Sequence, residues 1–248
     1  MDFTIINNNT FGYCEIKGEG IEKVERQVKG DTEFSILFDK AEDARNSFID
    51  YSCELGVTYV YRINGSTSLT STETYYEDIV LYDAQNGSVL IRFNPTVTSF
   101  KLNQAETVTQ TLGGKYPVIR RNGVMDYNTF TIGGMISALA ESTSYSYKNR
   151  TTDERKYRQK ILDSLKNGKV KLFKSGPEGN MLIRLTNITL TSEAKLDRDI
   201  YSFSATATEI ASPTIENMKR FNIFNTEEKY YTVSASETDM TETFFTVV

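Results

Sequence analysis

The residues of this chain that could do chemistry are carboxylates, because the sequence contains no histidine. Without histidine there is no Ser–His or Cys–His nucleophile pair, no imidazole base at neutral pH and none of the commonest metal ligand. Paired carboxylates can still hydrolyse glycosidic bonds when their separation in the fold is right. The candidate pairs Asp153/Glu154 and Asp197/Asp199 are better interpreted as a helix start and a charged turn. We therefore predict no catalytic residue and no enzymatic activity.

The sequence also lacks the usual patterns of metal-binding and phosphate-binding sites. Residues 197–199 offer acidic oxygens to Ca²⁺, but the glycine and the bidentate glutamate of a hand-type loop are missing. The glycine pairs at 113–114 and 133–134 match neither the dinucleotide fingerprint nor the P-loop. Cys14 and Cys53 lie far apart in sequence, which is typical of two free thiols in a reducing compartment. We predict no metal site and no cofactor.

The most unusual segment is residues 111–123, which read TLGGKYPVIRRNG and place aromatic and basic side chains between glycines. Three cations give only weak contact with nucleic acid when the chain has a net charge of −5, whereas Arg and Tyr are enriched at protein interfaces. We assign to a subunit interface Lys115, Tyr116, Arg120 and Arg121. We assign to structural turns Gly113, Gly114 and Gly123, where glycine adopts turn conformations without strain. The wider segment 107–132 is predicted to form a long hairpin-like pair of strands that joins sheets between subunits.

Alternation of apolar and polar residues predicts the strands that carry this segment. The pattern is clear at residues 199–210 and again at 57–63. Over residues 181–190 the apolar phase moves by one position, which predicts a bulge or bend near Asn187. Asn86-Gly87 between two apolar runs predicts a tight hairpin.

Two helices are predicted among the strands. The first covers about residues 40–55 and begins at Asp39, with Glu42 three residues later as in a capping box. The second covers about residues 152–167, has acidic residues in its first turn and ends at Gly168. The predicted fold class is therefore mainly β (α+β), with two helices packed on the sheet.

The length of 248 residues and the hydrophobic fraction of 39% suit one large β-rich domain or two small ones. Three regions are distinguished: 1–94, a β-rich region with one helix that can share a domain with the next; 95–224, a β region with one helix; and 225–248, a carboxy-terminal arm or edge strand. The polar stretch 140–152 predicts a long exposed loop. The sequence shows neither a secretory signal nor a long apolar run, so we expect synthesis in the cytoplasm and no membrane partner.

Five ordered segments carry a resemblance that spans about residues 95–210. They are 110–123, 127–137 (YNTFTIGGMIS), 165–180 (LKNGKVKLFKSGPEGN), 183–191 (IRLTNITLT) and 201–207 (YSFSATA). In this order and at this spacing they resemble the tail and baseplate proteins of phages that infect Gram-positive bacteria. Several ordered segments are more specific than one glycine pattern. The first 90 residues resemble no family in the same way.

The resemblance implies a virion protein near the distal end of the tail, assembled in the host cytoplasm. Its implied fold is a tail-tube-like β-barrel or sandwich, and its implied function is a structural ring or hub that connects the tail tube to distal proteins. The implied partners are copies of the same chain, in a hexameric ring by analogy with tail tubes, and other tail or baseplate proteins. Nucleic acid is expected at most in passage through a lumen. The alternatives are a receptor- or carbohydrate-binding tail module, for which Tyr145 and Tyr147 can be cited, and, third, a cell-wall hydrolase.

Overall fold

The computed structural model describes residues 2–9, 11–40, 44–76, 79–83, 87–91, 93–110, 116–136, 159, 162–192, 201–224 and 230–231. These residues are mainly β. The first seven strands are β1 Thr4–Asn8, β2 Tyr13–Ile21, β3 Lys23–Val28, β4 Ser35–Asp39, β5 Arg45–Asp50, β6 Tyr59–Ile63 and β7 Thr67–Thr70. The other strands are β8 Ile79–Asp83, β9 Gly87–Ile91, β10 Phe93–Thr109, β11 Val118–Ile136, β12 Lys171–Ser175, β13 Gly179–Ser192, β14 Tyr201–Ala211 and β15 Tyr230–Tyr231. The two helical segments are α1, residues 162–166, and α2, Ile215–Arg220.

The strands form three sheets. Two small antiparallel sheets have the orders β1-β2-β5 and β4-β3-β6-β7, and the large one has the order β10-β11-β14-β13-β12-β8-β9-β15. Neighbours in the large sheet are antiparallel, except β15, which runs parallel to β9. Within the described residues no sheet closes on itself, so of the β-barrel or sandwich that the resemblance implies, the single chain is consistent with the sandwich. The large sheet consequently keeps two edges, β10 and β15.

Both faces of the large sheet are buried at its centre. On β8, Val80 and Tyr82 belong to the core shared with the small sheets, whereas Ile79 and Leu81 belong to a second core that includes Leu165 of α1. Side chains alternate between faces along a strand, and β8 is buried at every position because each face has a layer over it. Strands β8 and β9, although they precede residue 95, are therefore part of the same sheet as the segments that carry the family resemblance.

The first predicted helix is wrong. Residues 45–50 form strand β5, which pairs with β2 from Cys14↔Asp50 to Ile21↔Arg45; residues 41–43 lie outside the described residues. Phe48 and Ile49 are both buried in this arrangement. Pairing with β2 and burial from both sides outweigh a helical spacing of apolar residues, which is a weak preference on its own.

The second predicted helix is confirmed over its last turns, and residues 152–158, 160 and 161 lie outside the described part of the chain. The helix ends at Asn167, and Gly168 follows with a positive φ of 66°, the conformation that glycine supplies after a helix. Leu162 and Leu165 are buried, as their spacing predicts. Helix α2, capped by the Thr214 hydroxyl that accepts from the Asn217 amide, was not predicted.

The hairpin and the bulge predicted from the sequence are both present in the structure. Strands β8 and β9 pair as an antiparallel hairpin, with Asp83 opposite Gly87, although the connecting residues 84–86 lie outside the description. The bulge near Asn187 is confirmed by a register shift between β13 and β14 and by a φ of 50° at Asn187. The predicted loop 140–152 and the last residues of the carboxy-terminal arm also lie outside the described residues.

Candidate assembly interface

Strands β10 and β11 extend beyond the rest of the large sheet. They pair antiparallel from Phe93↔Met135 as far as Thr109↔Val118. The next strand, β14, pairs with β11 only over Thr129–Ile136. Residues 101–109 and 118–128, here termed the ribbon, therefore leave the sheet as two strands alone. At roughly 3.3 Å per residue, nine residues of β10 give the ribbon a length of about 30 Å.

The base of the ribbon is fixed to the core. Phe100 stacks on Phe130 with ring centroids 5.3 Å apart, and Phe130 contacts Phe173 of β12 at 5.1 Å. On the other strand, the Asn128 side-chain amide donates to Glu209 Oε2 at 2.6 Å, and the Asn128 backbone amide donates to the same oxygen. These contacts hold the start of the ribbon in one orientation.

The outer part of the ribbon exposes apolar side chains. Val108 and Ile119 are each 60% exposed and lie directly opposite each other, so the two side chains share one face. The other exposed apolar residues of β10, β11 and their connection are Phe100, Leu102, Tyr116 and Val118. Single exposed apolar residues are ordinary, but the Val108–Ile119 pair puts two large apolar side chains side by side on one exposed face.

The basic residues assigned to the interface fall at the same end of the ribbon. Arg120 is exposed and stands opposite Thr107, next to the Val108–Ile119 pair. The backbone of Arg121 pairs with Glu106. Tyr116 is 73% exposed in the connection between the strands. Lys115, which was assigned with them, lies outside the described residues.

The glycines assigned to turns have different outcomes. Gly113 and Gly114 lie outside the described residues. Gly123 lies inside β11 instead of in a turn between strands. Arg121 pairs with Glu106 whereas Asp126 pairs with Gln104, so the stretch between them bulges out of register, and a bulge is another position where glycine is favoured.

Gly133, part of the glycine pair that matches no phosphate-binding pattern, has a specific packing role. A Cβ on Gly133 of β11 would lie 2.9 Å from the Phe203 carbonyl oxygen and 3.0 Å from Thr96 Oγ1. Neither distance can be relieved by moving the end of a long side chain. Gly133 therefore allows β10, β11 and β14 to approach closely inside the large sheet.

No described residue pairs with the outer side of β10, the edge strand of the sheet beside the ribbon. Among the described residues, β10 pairs only with β11, so its other side presents backbone donors and acceptors along 17 residues. At the opposite edge, β15 covers β9 through two register pairs, Tyr230↔Ser88 and Tyr231↔Val89. A long uncovered edge strand is a template for pairing with another chain.

A buried charged cluster in the amino-terminal region is a second place where chemistry could reside. Arg26 Nη1 lies 2.6 Å from Asp50 Oδ2, and the Tyr61 hydroxyl donates to the same oxygen at 2.8 Å. The Ser52 hydroxyl and amide donate to Asp50 Oδ1. Burial opposes ionisation of Asp50, but Arg26 and these hydrogen bonds hold the pKa of the carboxyl below its ordinary value. The cluster joins β3, β5 and β6 across the two small sheets, which is a structural role.

A second buried ion pair fastens α1 to the large sheet. Lys171 Nζ donates to Asp83 Oδ2 at 2.6 Å and to Asn167 Oδ1 at 3.1 Å. Asp83 also accepts from Ser164 of α1 at 3.1 Å. Burial lowers the pKa of Lys171, and Asp83 opposes that shift. Over the described residues, no group of three His, Cys, Asp or Glu side chains could hold a metal ion.

The carboxylate pairs considered for catalysis, at 153–154 and 197–199, lie outside the described residues. No described helix is long and apolar enough to cross a bilayer.

The buried Arg26 and Asp50 cluster was not anticipated from the sequence. The signal available for it was an acid within the apolar run FIDYSC at 48–53.

Comparison with known proteins gives a partial likeness to solved structures. No protein family matches the chain, and no curated protein matches it. Among solved structures, a chain from the virion of a native gene transfer agent particle is similar at 16% identity and a TM-score of 0.31. The match covers 54% of this chain and 92% of that chain.

Proposed function

We propose that this protein is a structural component of a phage tail or baseplate, in which copies join through the ribbon and the β10 edge into a ring or hub. The observation that carries the proposal is the ribbon, a two-stranded extension with exposed apolar residues beside an uncovered sheet edge. The sequence resemblance of residues 95–210 to tail and baseplate proteins supports the same reading.

Head-to-tail contact explains why the two edges of the large sheet differ. In such contact one edge of a copy meets a different surface of the next copy, and a closed ring results when the rotation closes. The long β10 edge is one half of the contact. The opposite edge, where β15 pairs with β9 over two residues, is the other half of the contact in this proposal. A sheet continued from copy to copy forms the barrel that a single chain does not, and we propose six copies by analogy with tail tubes.

The proposed location follows from this assembly. The ring is part of the virion tail, is assembled in the host cytoplasm, and connects the tail tube to distal proteins. Its partners are copies of itself and neighbouring tail or baseplate proteins. Nucleic acid passes through the lumen without a dedicated binding site, because the chain is acidic overall.

The test reverses the charge of the ribbon. Arg120→Glu with Arg121→Glu adds two acids on the strand opposite Glu106, and we expect the variant to lose ring formation. Its far-UV circular dichroism should stay unchanged, because exposed charges matter little to folding. The matched control is Lys29→Glu with Lys40→Glu, two exposed residues of the amino-terminal region, which changes net charge equally. Mass photometry and negative-stain imaging report the assemblies. Normal rings from the Arg120/Arg121 variant, or equal loss in the control, contradict the proposal.

A further inference from the structure

The two cysteines, distant in sequence, both lie next to Asp50 in the buried interior. Cys14 lies on β2 and is the register partner of Asp50 on β5. Cys53 follows β5, and its Sγ lies 3.2 Å from the Asp50 carbonyl oxygen and 3.4 Å from the Tyr61 hydroxyl. Both thiols are completely buried and reduced. Pairing of β2 with β5 therefore places both sulfurs at one end of the charged cluster described above.

A buried lysine lies against the backbone of Cys53. Lys174 of β12 donates from Nζ to the carbonyl oxygens of Gly12 and Cys53, the latter at 3.1 Å. No ion pair with a carboxylate is formed by Lys174 in the described part of the chain; the nearby Asp50 is bound to Arg26. Burial lowers the pKa of Lys174 to about 8, so the amine keeps its proton at neutral pH. A buried ammonium without a carboxylate favours an anion next to it.

The two thiols are not equivalent. A hydrogen bond with Cys53 is the main reason that the pKa of Cys14 lies below its ordinary value, whereas burial raises the pKa of Cys53 well above it. Cys14 also has the Thr74 hydroxyl 3.8 Å from its sulfur. Because this hydrogen bond favours the Cys14 thiolate and the protonated form of Cys53, we assign Cys14 as the nucleophile and Cys53 as its protonated partner.

We propose that Cys14 and Cys53 are a redox-active dithiol, which a peroxide converts into an intramolecular disulfide with Lys174 as the positioning cation. The Cys14 thiolate attacks one peroxide oxygen, the O–O bond breaks, and a sulfenic acid forms with release of water after protonation. The Cys53 thiol then loses its proton and attacks the Cys14 sulfur, and a second water leaves. In total the dithiol loses two electrons and two protons, and the peroxide is reduced to two waters. This proposal is independent of the assembly function.

The disulfide would tie the loop after β5 to strand β2. It closes a chain segment of about forty residues, and cross-links of that size stabilise the folded state through the unfolded chain. We expect the oxidised protein to melt several degrees above the reduced one. Because the thiols are buried, a local opening admits the oxidant.

The experiment oxidises the reduced full chain with hydrogen peroxide under native conditions, blocks the remaining thiols with N-ethylmaleimide and measures the intact mass. We expect a loss of two hydrogen atoms, no maleimide adduct, a tryptic cross-link between the Cys14 and Cys53 peptides, and reversal by dithiothreitol. Cys14→Ser and Cys53→Ser should each abolish the mass loss. Retained thiols, added oxygen atoms on cysteine, or a disulfide between chains overturns the proposal.

The role of the lysine has a separate readout. Lys174→Met keeps the length of the side chain and removes its charge, so the pKa of Cys14, measured by thiolate absorbance, should rise. The rate of disulfide formation near neutral pH should fall by about tenfold for each unit of that rise. An unchanged Cys14 titration in a folded Lys174→Met variant removes Lys174 from the proposal. If that variant does not fold, the wild-type cross-link still decides the dithiol.

Discussion

The sharpest prediction concerns the exposed apolar pair at the outer part of the ribbon. Replacing Val108 and Ile119 together with threonine keeps β-branched side chains, which suit a strand, and removes apolar surface. Full burial of such a side chain is worth about 1.5 to 3 kcal/mol. Both side chains are 60% exposed in the single chain, and threonine retains one methyl group. The association between copies should therefore weaken by about 2 kcal/mol in total, roughly 30-fold.

Sedimentation velocity over a concentration series measures this loss, and urea unfolding of the unassembled protein should change by less than about 0.5 kcal/mol. The matched control is Val28→Thr with Ile36→Thr, since this Val and Ile pair is also exposed, at 41% and 39%, but lies on β3 and β4. The control should assemble normally. Equal association constants for the ribbon variant and the wild type refute the reasoning that the ribbon is buried on assembly.

Two further predictions test the interior. Asp50→Asn leaves Arg26 without its counter-ion and should destabilise the fold by about 3 to 5 kcal/mol, against no more than about 0.5 kcal/mol for the exposed Asp39→Asn, both by urea unfolding. The folded-state pKa of Asp50 is depressed, so its contribution to stability is present above about pH 4, the unfolded value, and is lost as pH falls through the folded pKa. The free energies of unfolding of wild type and Asp50→Asn should therefore converge at low pH. A difference that stays constant with pH contradicts the assignment. Gly133→Ala should lower the free energy of unfolding by about 1 to 3 kcal/mol, because the new Cβ would contact the Phe203 carbonyl. Gly176→Ala is the control and should be tolerated, since its Cβ would lie 3.8 Å from a Leu55 methyl. Equal melting temperatures for the two variants refute the close approach.

Local patterns predicted the parts of the fold that depend on near neighbours. The pairing of β10 with β11, the bulge at Asn187 and the end of α1 at Gly168 each follow from alternation or from one residue with special backbone freedom. Strand β5 was missed because its helical spacing is local, whereas its pairing with β2 is not. Gly123 was placed in a turn because glycine suits turns and bulges alike, and register alone separates the two.

The candidate sites divide in the same way. The basic and aromatic residues of the ribbon could be selected from the sequence, because an interface composition is visible in a short segment. The exposed Val108–Ile119 pair could not, since its exposure depends on β14 pairing only with the inner part of β11. The meeting of Cys14, Cys53 and Lys174 joins residues that are up to 160 positions apart, and only the packing of three sheets brings them together.

The ribbon is fixed at its base by the stacked Phe100 and Phe130, and its described residues extend outward from there as two paired strands. Thermal bending of a two-stranded extension displaces its outer end more than its base. The outer Val108–Ile119 pair therefore sweeps the largest volume of solution. In the proposed assembly a neighbouring copy contacts this outer pair first, and the remaining contacts form toward the base of the ribbon. In the proposed assembly, first contact at the outer end increases the volume in which two copies can meet. The fixed base of the ribbon then sets the angle between successive copies.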